Sequence, residues 1–163
     1  GVSVRPILLW PDPRLSRECD AVDAADVEML ISDLFDTMYA AKGRGLAAPQ
    51  IGVMQRVFVV DVTWKEGAPD PRAFINPHLG HVSNEVGVME EQCLSIPDLP
   101  MPVERPLAAE LSWTAPDSCA ASGRFEGTLA RCILHELDHL DGCVIFDHQT
   151  ADNRMKFEAQ YAG

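Results

Sequence analysis

The sequence predicts an α+β domain, and three observations predict it. Apolar residues recur at helical spacing in two stretches, one early and one late in the chain. Between them lie short runs rich in Val, Phe, Ile and Leu that have strand character. The length of 163 residues with 47% hydrophobic content is enough for one domain with a real core, and no repeat, low-complexity tract or linker divides it. Residues 1–163 are therefore expected to form a single domain.

Taken in order, Pro11 and Pro13 mark a turn. Asp23 is an expected N-cap, with Val27, Leu30, Ile31, Leu34 and Met38 following at helical spacing and Gly43 ending the helix. Strands are expected from Arg56 to Val62, Arg72 to Asn76 and Leu107 to Trp113. Pro97, Pro100 and Pro102 mark turns or extended chain. A second helix is expected from about Glu126 to Leu140, with Leu129, Ile133, Leu137 and Leu140 as its apolar stripe and Gly142 as a left-handed C-cap. The tail from Thr150 to Gly163 is expected to add one or two helical turns.

Charge and cysteine content exclude several function classes. Thirteen Lys and Arg stand against 25 Asp and Glu, a formal charge of -12 that repels a phosphate backbone. Nucleic acid is therefore not an expected partner, and the acidity serves solubility. No apolar run is long enough to cross a bilayer, so no membrane partner is expected. Val2 to Trp10 is broken by Arg5 and Pro6, unlike a signal peptide, and Gly1 is read as a processing remnant. Five cysteines, an odd number without secretory features, indicate a reducing cytoplasm rather than a disulfide framework. There, a Cys near a His pair is a metal-ligand candidate.

The sharpest signal is His135-Glu136-Leu137-Asp138-His139 on the second helix. Histidines at i and i+4 share one helix face and can reach one metal ion, while Glu136 beside them can touch a bound water. A catalytic metal usually takes a third protein ligand and keeps one position open. Downstream, Asp141, Asp147, His148 and Glu158 could supply it. Upstream, Cys93 in Glu91-Gln92-Cys93-Leu94-Ser95 could do so, although a Cys alone is more often a small buried hydrophobe.

With two further segments the sequence resembles the peptide deformylase family, across nearly the whole chain. Gly43-Arg44-Gly45-Leu46-Ala47-Ala48-Pro49-Gln50 resembles the family's first motif, and Glu91-Gln92-Cys93-Leu94-Ser95 its second. The His-Glu-x-x-His helix is its third, and Pro11-Asp12-Pro13-Arg14-Leu15 is similar to its N-terminal segment. The resemblance implies antiparallel strands packed around the helix that carries the third motif. It implies Cys93, His135 and His139 as ligands to one divalent metal, a donor set that suits Zn2+ or Fe2+. The implied reaction is removal of an N-formyl group from a peptide amine by a metal-bound hydroxide. Gln50 and the Leu94 backbone N–H would hold the oxyanion, and Glu136 would move the proton. An ion pair between Glu91 and Arg105 is implied as support for the Cys93 loop.

Departures from the family pattern fall in the substrate pocket. Gln92 stands where the family has Gly, and Arg44 where it has an apolar residue. Thr128, Arg131 and Cys132 precede His135 on the ligand-bearing face, a surface the family keeps apolar for methionine. With Gly45, whose backbone lets a ligand approach closely, Arg44, Gln92, Thr128 and Arg131 form the expected substrate-binding set. The two arginines either snorkel to solvent or enter the pocket. If they enter, Arg131 should seek a substrate carboxylate, favouring an acidic or polar first side chain over formyl-Met. Some deformylases use a basic C-terminal helix at the ribosome; the tail here is not notably basic, and that docking is not expected.

Overall fold

The computed structural model describes residues 3–163, so Gly1 and Val2 lie outside the described residues. Among the described residues, seven strands and three α-helices make two antiparallel sheets with a helix between them. The five-stranded sheet has the order β1 (Gly45–Ala47), β2 (Val57–Val60), β3 (Arg72–Val82), β6 (Ala108–Thr114), β7 (Ala120–Glu126). The second sheet is the hairpin of β4 (Val86–Cys93) and β5 (Ile96–Pro106). No described helix is long and apolar enough to cross a membrane.

Alternation along β2 shows how the core is divided. Val57 and Val59 face one side and pack with Leu34 and Met38 of α1 (Glu28–Ala40). Phe58 and Val60 face the other and pack with Ile133, Leu137 and Leu140 of α2 (Gly127–Leu140). All of these residues are at most 6% exposed, so the sheet is covered on both faces. A third cluster joins Cys93, Ile96, Leu99, Met101 and Val103 of the hairpin to Leu15 and Phe146. The helix carrying the two histidines is thus held between the sheets, which fixes its orientation.

Several elements differ from expectation for local reasons. Asp23 caps a short 3-10 turn, Ala24–Asp26, and α1 begins after Val27. At the other end of α1, Lys42 takes the left-handed conformation expected of Gly43, with φ 58°. The Gly43 N–H then closes the helix on the Met38 carbonyl at 2.9 Å, as in a Schellman cap. The proline cluster is part of β5, which among the described residues pairs only with β4 and so has an edge where residues without an N–H are tolerated. The tail forms a full helix, α3 (Ala151–Ala162), capped by Thr150 Oγ1 on the Asn153 N–H. Tyr161 anchors it by packing on Trp10 and Phe146 and donating to the Trp10 carbonyl at 2.8 Å.

Candidate metal centre

Three short segments meet at one end of α2. Cys93 ends β4 and pairs with Ile96 across a two-residue turn, Leu94-Ser95. Gln50 sits in the 3-10 turn Ala48–Ile51 that follows β1. His135, Glu136 and His139 project from α2 and are at most 9% exposed. The Cys93, His135 and His139 donor atoms all lie within 4.8 Å of one another, with Cys93 Sγ 3.4 Å from His139 Nε2.

The surrounding bonds orient the donors. His135 Nδ1 donates to Glu91 Oε1 at 2.8 Å, which leaves Nε2 of that ring as the free lone pair. Glu91 is buried and also accepts a bidentate pair from Arg105, Nε at 2.6 Å and Nη2 at 2.9 Å. The expected Glu91–Arg105 ion pair is therefore present. Arg105 continues to Asp138 at 2.9 Å, and Asp138 to His148 Nε2 at 2.7 Å. Gln50 Oε1 accepts the Ala47 N–H at 2.9 Å, which turns its amide nitrogen toward Ser95 Oγ at 3.1 Å and Cys93 Sγ at 3.8 Å. The amide therefore presents N–H groups to the centre.

Electrostatics favour a cation at this point. Burial pushes the Cys93 thiol up, but the His139 and His135 rings beside it reverse this and bring it down to about 5. Burial would also raise the Glu91 carboxyl, yet hydrogen bonds from His135 and Arg105 hold it well below the usual carboxylate range. Glu136 goes the other way, raised chiefly by burial. Its Oε1 and the His139 Nδ1 are buried with no hydrogen-bond partner. A thiolate and two imidazoles, with a carboxylate oxygen left unpaired beside them, are the donor chemistry of a site for one divalent ion.

The cleft above the centre has a volume of about 510 Å³, and Arg44, Gly45, Gln50, Gln92, Leu94, Thr128, Arg131 and Glu136 all line it. Gly45 allows a close approach of β1 to α2. A Cβ there would lie 2.6 Å from Glu136 Oε2 and 2.9 Å from Cys132 Sγ. Arg44 and Arg131 line the cleft as expected, and each is engaged by a carboxylate of the chain. Arg44 is exposed and pairs with Glu66 at 3.1 Å. Arg131 is neither snorkelling nor free. Its guanidinium donates to Glu91 Oε2 at 2.7 Å and to the Val103 and Gly87 carbonyls at 2.9 Å each. Its carboxylate partner is already within the chain, so Arg131 has no need of one from a substrate. The downstream ligand alternatives are also engaged elsewhere: Asp141 with Arg56, Asp147 and Glu158 with Arg154, and His148 with Asp138. Sequence reasoning missed the Asp138–His148 extension and the Ser95 bond to Gln50, which no local pattern signals.

A sequence profile described as Polypeptide deformylase matches residues 4–155. The chain belongs to that family. Among its deformylase relatives, one from Rhizorhabdus wittichii is 44% identical over 154 residues, covering 90% of this chain and 87% of the relative. One from Agrobacterium fabrum is 39% identical over 149 residues, covering 90% and 88%. The solved deformylase from Thermus thermophilus superimposes with a TM-score of 0.90 at 35% identity, covering 98% of this chain and 94% of that one. Family members are metal-dependent hydrolases that remove N-formyl groups. The α+β fold expected from the sequence is thus the deformylase fold.

Proposed function

We propose that this chain removes the N-formyl group from peptide amines as a single catalytic domain. Cys93, His135 and His139 hold one divalent ion, Fe2+ or Zn2+. The observation that carries the reading is the convergence of those three donors within 4.8 Å at the floor of a cleft, beside a carboxylate with an unpartnered oxygen. The five unpaired cysteines fit a reducing compartment, where a thiolate ligand survives. On α3, Asp152 and Glu158 balance Arg154 and Lys156, so that helix carries no net charge.

When bound, the ion supplies Lewis acidity and lowers the pKa of a water. The chain's own groups do the rest. Glu136, kept basic enough by burial to accept a proton, takes it from the attacking water and delivers it to the leaving amine. The Gln50 amide, whose nitrogen lies beside Cys93 Sγ, and the Leu94 backbone N–H next to that ligand would donate to the oxygen that gains charge as the formyl carbon becomes tetrahedral. Glu91, clamped by Arg105 and Arg131, keeps His135 in the tautomer that offers Nε2. The products are formate and a free peptide amine. Glu136→Gln removes the proton acceptor and keeps the shape. It should retain its metal and lose about 10²–10⁴-fold in kcat. Full turnover in that variant would defeat the reading.

A further inference from the structure

The cleft lies between the two sheets, and the exposed charges at its rim are segregated by sheet, Arg131 and Glu136 of α2 being largely buried. From the five-stranded side come Lys42 and Arg44, at the corner of α1 and β1, and Lys65, in the 3-10 turn after β2. From the hairpin side come Glu90 of β4 and Asp98 of β5. In a chain of formal charge -12 with only three lysines, two of them line this one cleft.

The lysine side is a built feature. Trp64 Nε1 donates to the Gly43 carbonyl at 2.8 Å, and the Tyr39 ring meets Trp64 edge-on with centroids 5.3 Å apart. Arg44 pairs with Glu66 from the same 3-10 turn. These contacts pin the turn Trp64–Glu66 against the Lys42–Arg44 corner and bring both lysines to one lip. The Arg44–Glu66 pair cancels itself. Among the described residues, Lys42 and Lys65 have no ion-pair partner, while Lys65 rests over the Trp64 ring at 5.7 Å. Lys42 stands in a left-handed position that glycine fills without steric cost. Helix termination alone does not account for a lysine there.

We propose that Lys42 and Lys65 are specificity-determining residues that receive a substrate carboxylate, so that the preferred substrates are formylated peptides carrying an acidic group beyond the formyl end. The inference rests on the deformylase reading above. An extended peptide in the cleft turns successive side chains to opposite sides. One set of positions therefore meets the lysines and the next meets Glu90 and Asp98. Acidic side chains are favoured at alternate positions, and the same positions disfavour Lys and Arg. A free C-terminal carboxylate of a short peptide could reach the same lysines.

The test is kcat/KM on formyl-peptides that are neutral, or carry Asp at the second or at the third residue, each as C-terminal amide and as free acid. The readout is the acidic-to-neutral ratio within each protein. An exposed ion pair accounts for a factor of about two to five, so the native ratio should be roughly five-fold at one Asp position and fall toward one in 1 M salt. Lys42→Glu/Lys65→Glu should invert it. A gain that follows only the free acid assigns the carboxylate to the peptide terminus; one that persists in the amides assigns it to a side chain. Either source supports the inference. A native ratio near one, or a ratio untouched by the double substitution, overturns it. Failure to turn over any formyl-peptide would instead defeat the deformylase reading itself.

Discussion

Arg105→Met tests how the metal-binding histidine is supported. Arg105 is 4% exposed and donates three hydrogen bonds to two carboxylates, at 2.6, 2.9 and 2.9 Å. Removing one partner of a buried ion pair typically costs about 3–5 kcal/mol, because the remaining charge is stranded. Here Glu91 keeps Arg131 and His135, and Asp138 keeps His148, so the cost should sit at the lower end, about 3 kcal/mol. For a domain of this size that lowers Tm by roughly 6–12 °C. Urea unfolding of the metal-free protein is the appropriate assay, since bound metal adds its own linkage to stability. A cycle with Glu91→Gln should return a coupling of about 2 kcal/mol. In the same variant Glu91 is less well held, and with it His135, so metal affinity should fall about 10–100-fold. A stability loss below about 1 kcal/mol, or coupling near zero, would show that the pair is not what holds the Cys93 loop and His135 together.

Three further outcomes are expected. Gly45→Ala should fold but lose most of its turnover, because the new Cβ displaces Glu136 from 2.6 Å away; unchanged kcat would contradict the close approach. The metal-free protein should lose stability as pH falls below about 4.5, the ordinary Glu value. The folded-state pKa of Glu91 is depressed, so its contribution is present above that value and is lost on protonation. Glu91→Gln should flatten this acid limb in pH-dependent unfolding. Lys42→Gly relieves a left-handed residue and should gain up to about 1 kcal/mol in urea unfolding. It should lose preference for acidic peptides at the same time; a variant no more stable than the native chain would remove the case for strain.

The sequence made the chemistry more legible than the architecture. His135, Glu136 and His139 were readable because helical spacing forces i and i+4 onto one face, whatever surrounds them. The Glu91–Arg105 pair was readable through family resemblance. β4 was not, since Val86, Val88 and Met89 are exposed while Glu91 is buried, so hydrophobicity along the strand does not track its burial. β5 was obscured by prolines that its unpartnered edge tolerates. Helical spacing places Arg131 on the cleft face but cannot reveal the Glu91 carboxylate and two carbonyls that receive it. Lys42 escaped because Gly43 next to it looked like the natural cap. α3 was underestimated because its apolar contacts, Phe157 and Tyr161, depend on a partner cluster around Trp10 and Phe146 that is distant in sequence.

Everything above depends on Cys93, His135 and His139 binding one catalytic metal. Elemental analysis of the native chain and of Cys93→Ala, each purified without added metal, tests it most directly. The native chain should carry close to one divalent ion, and the variant should lose both that ion and formyl-peptide turnover. Undiminished metal content in Cys93→Ala would contradict it.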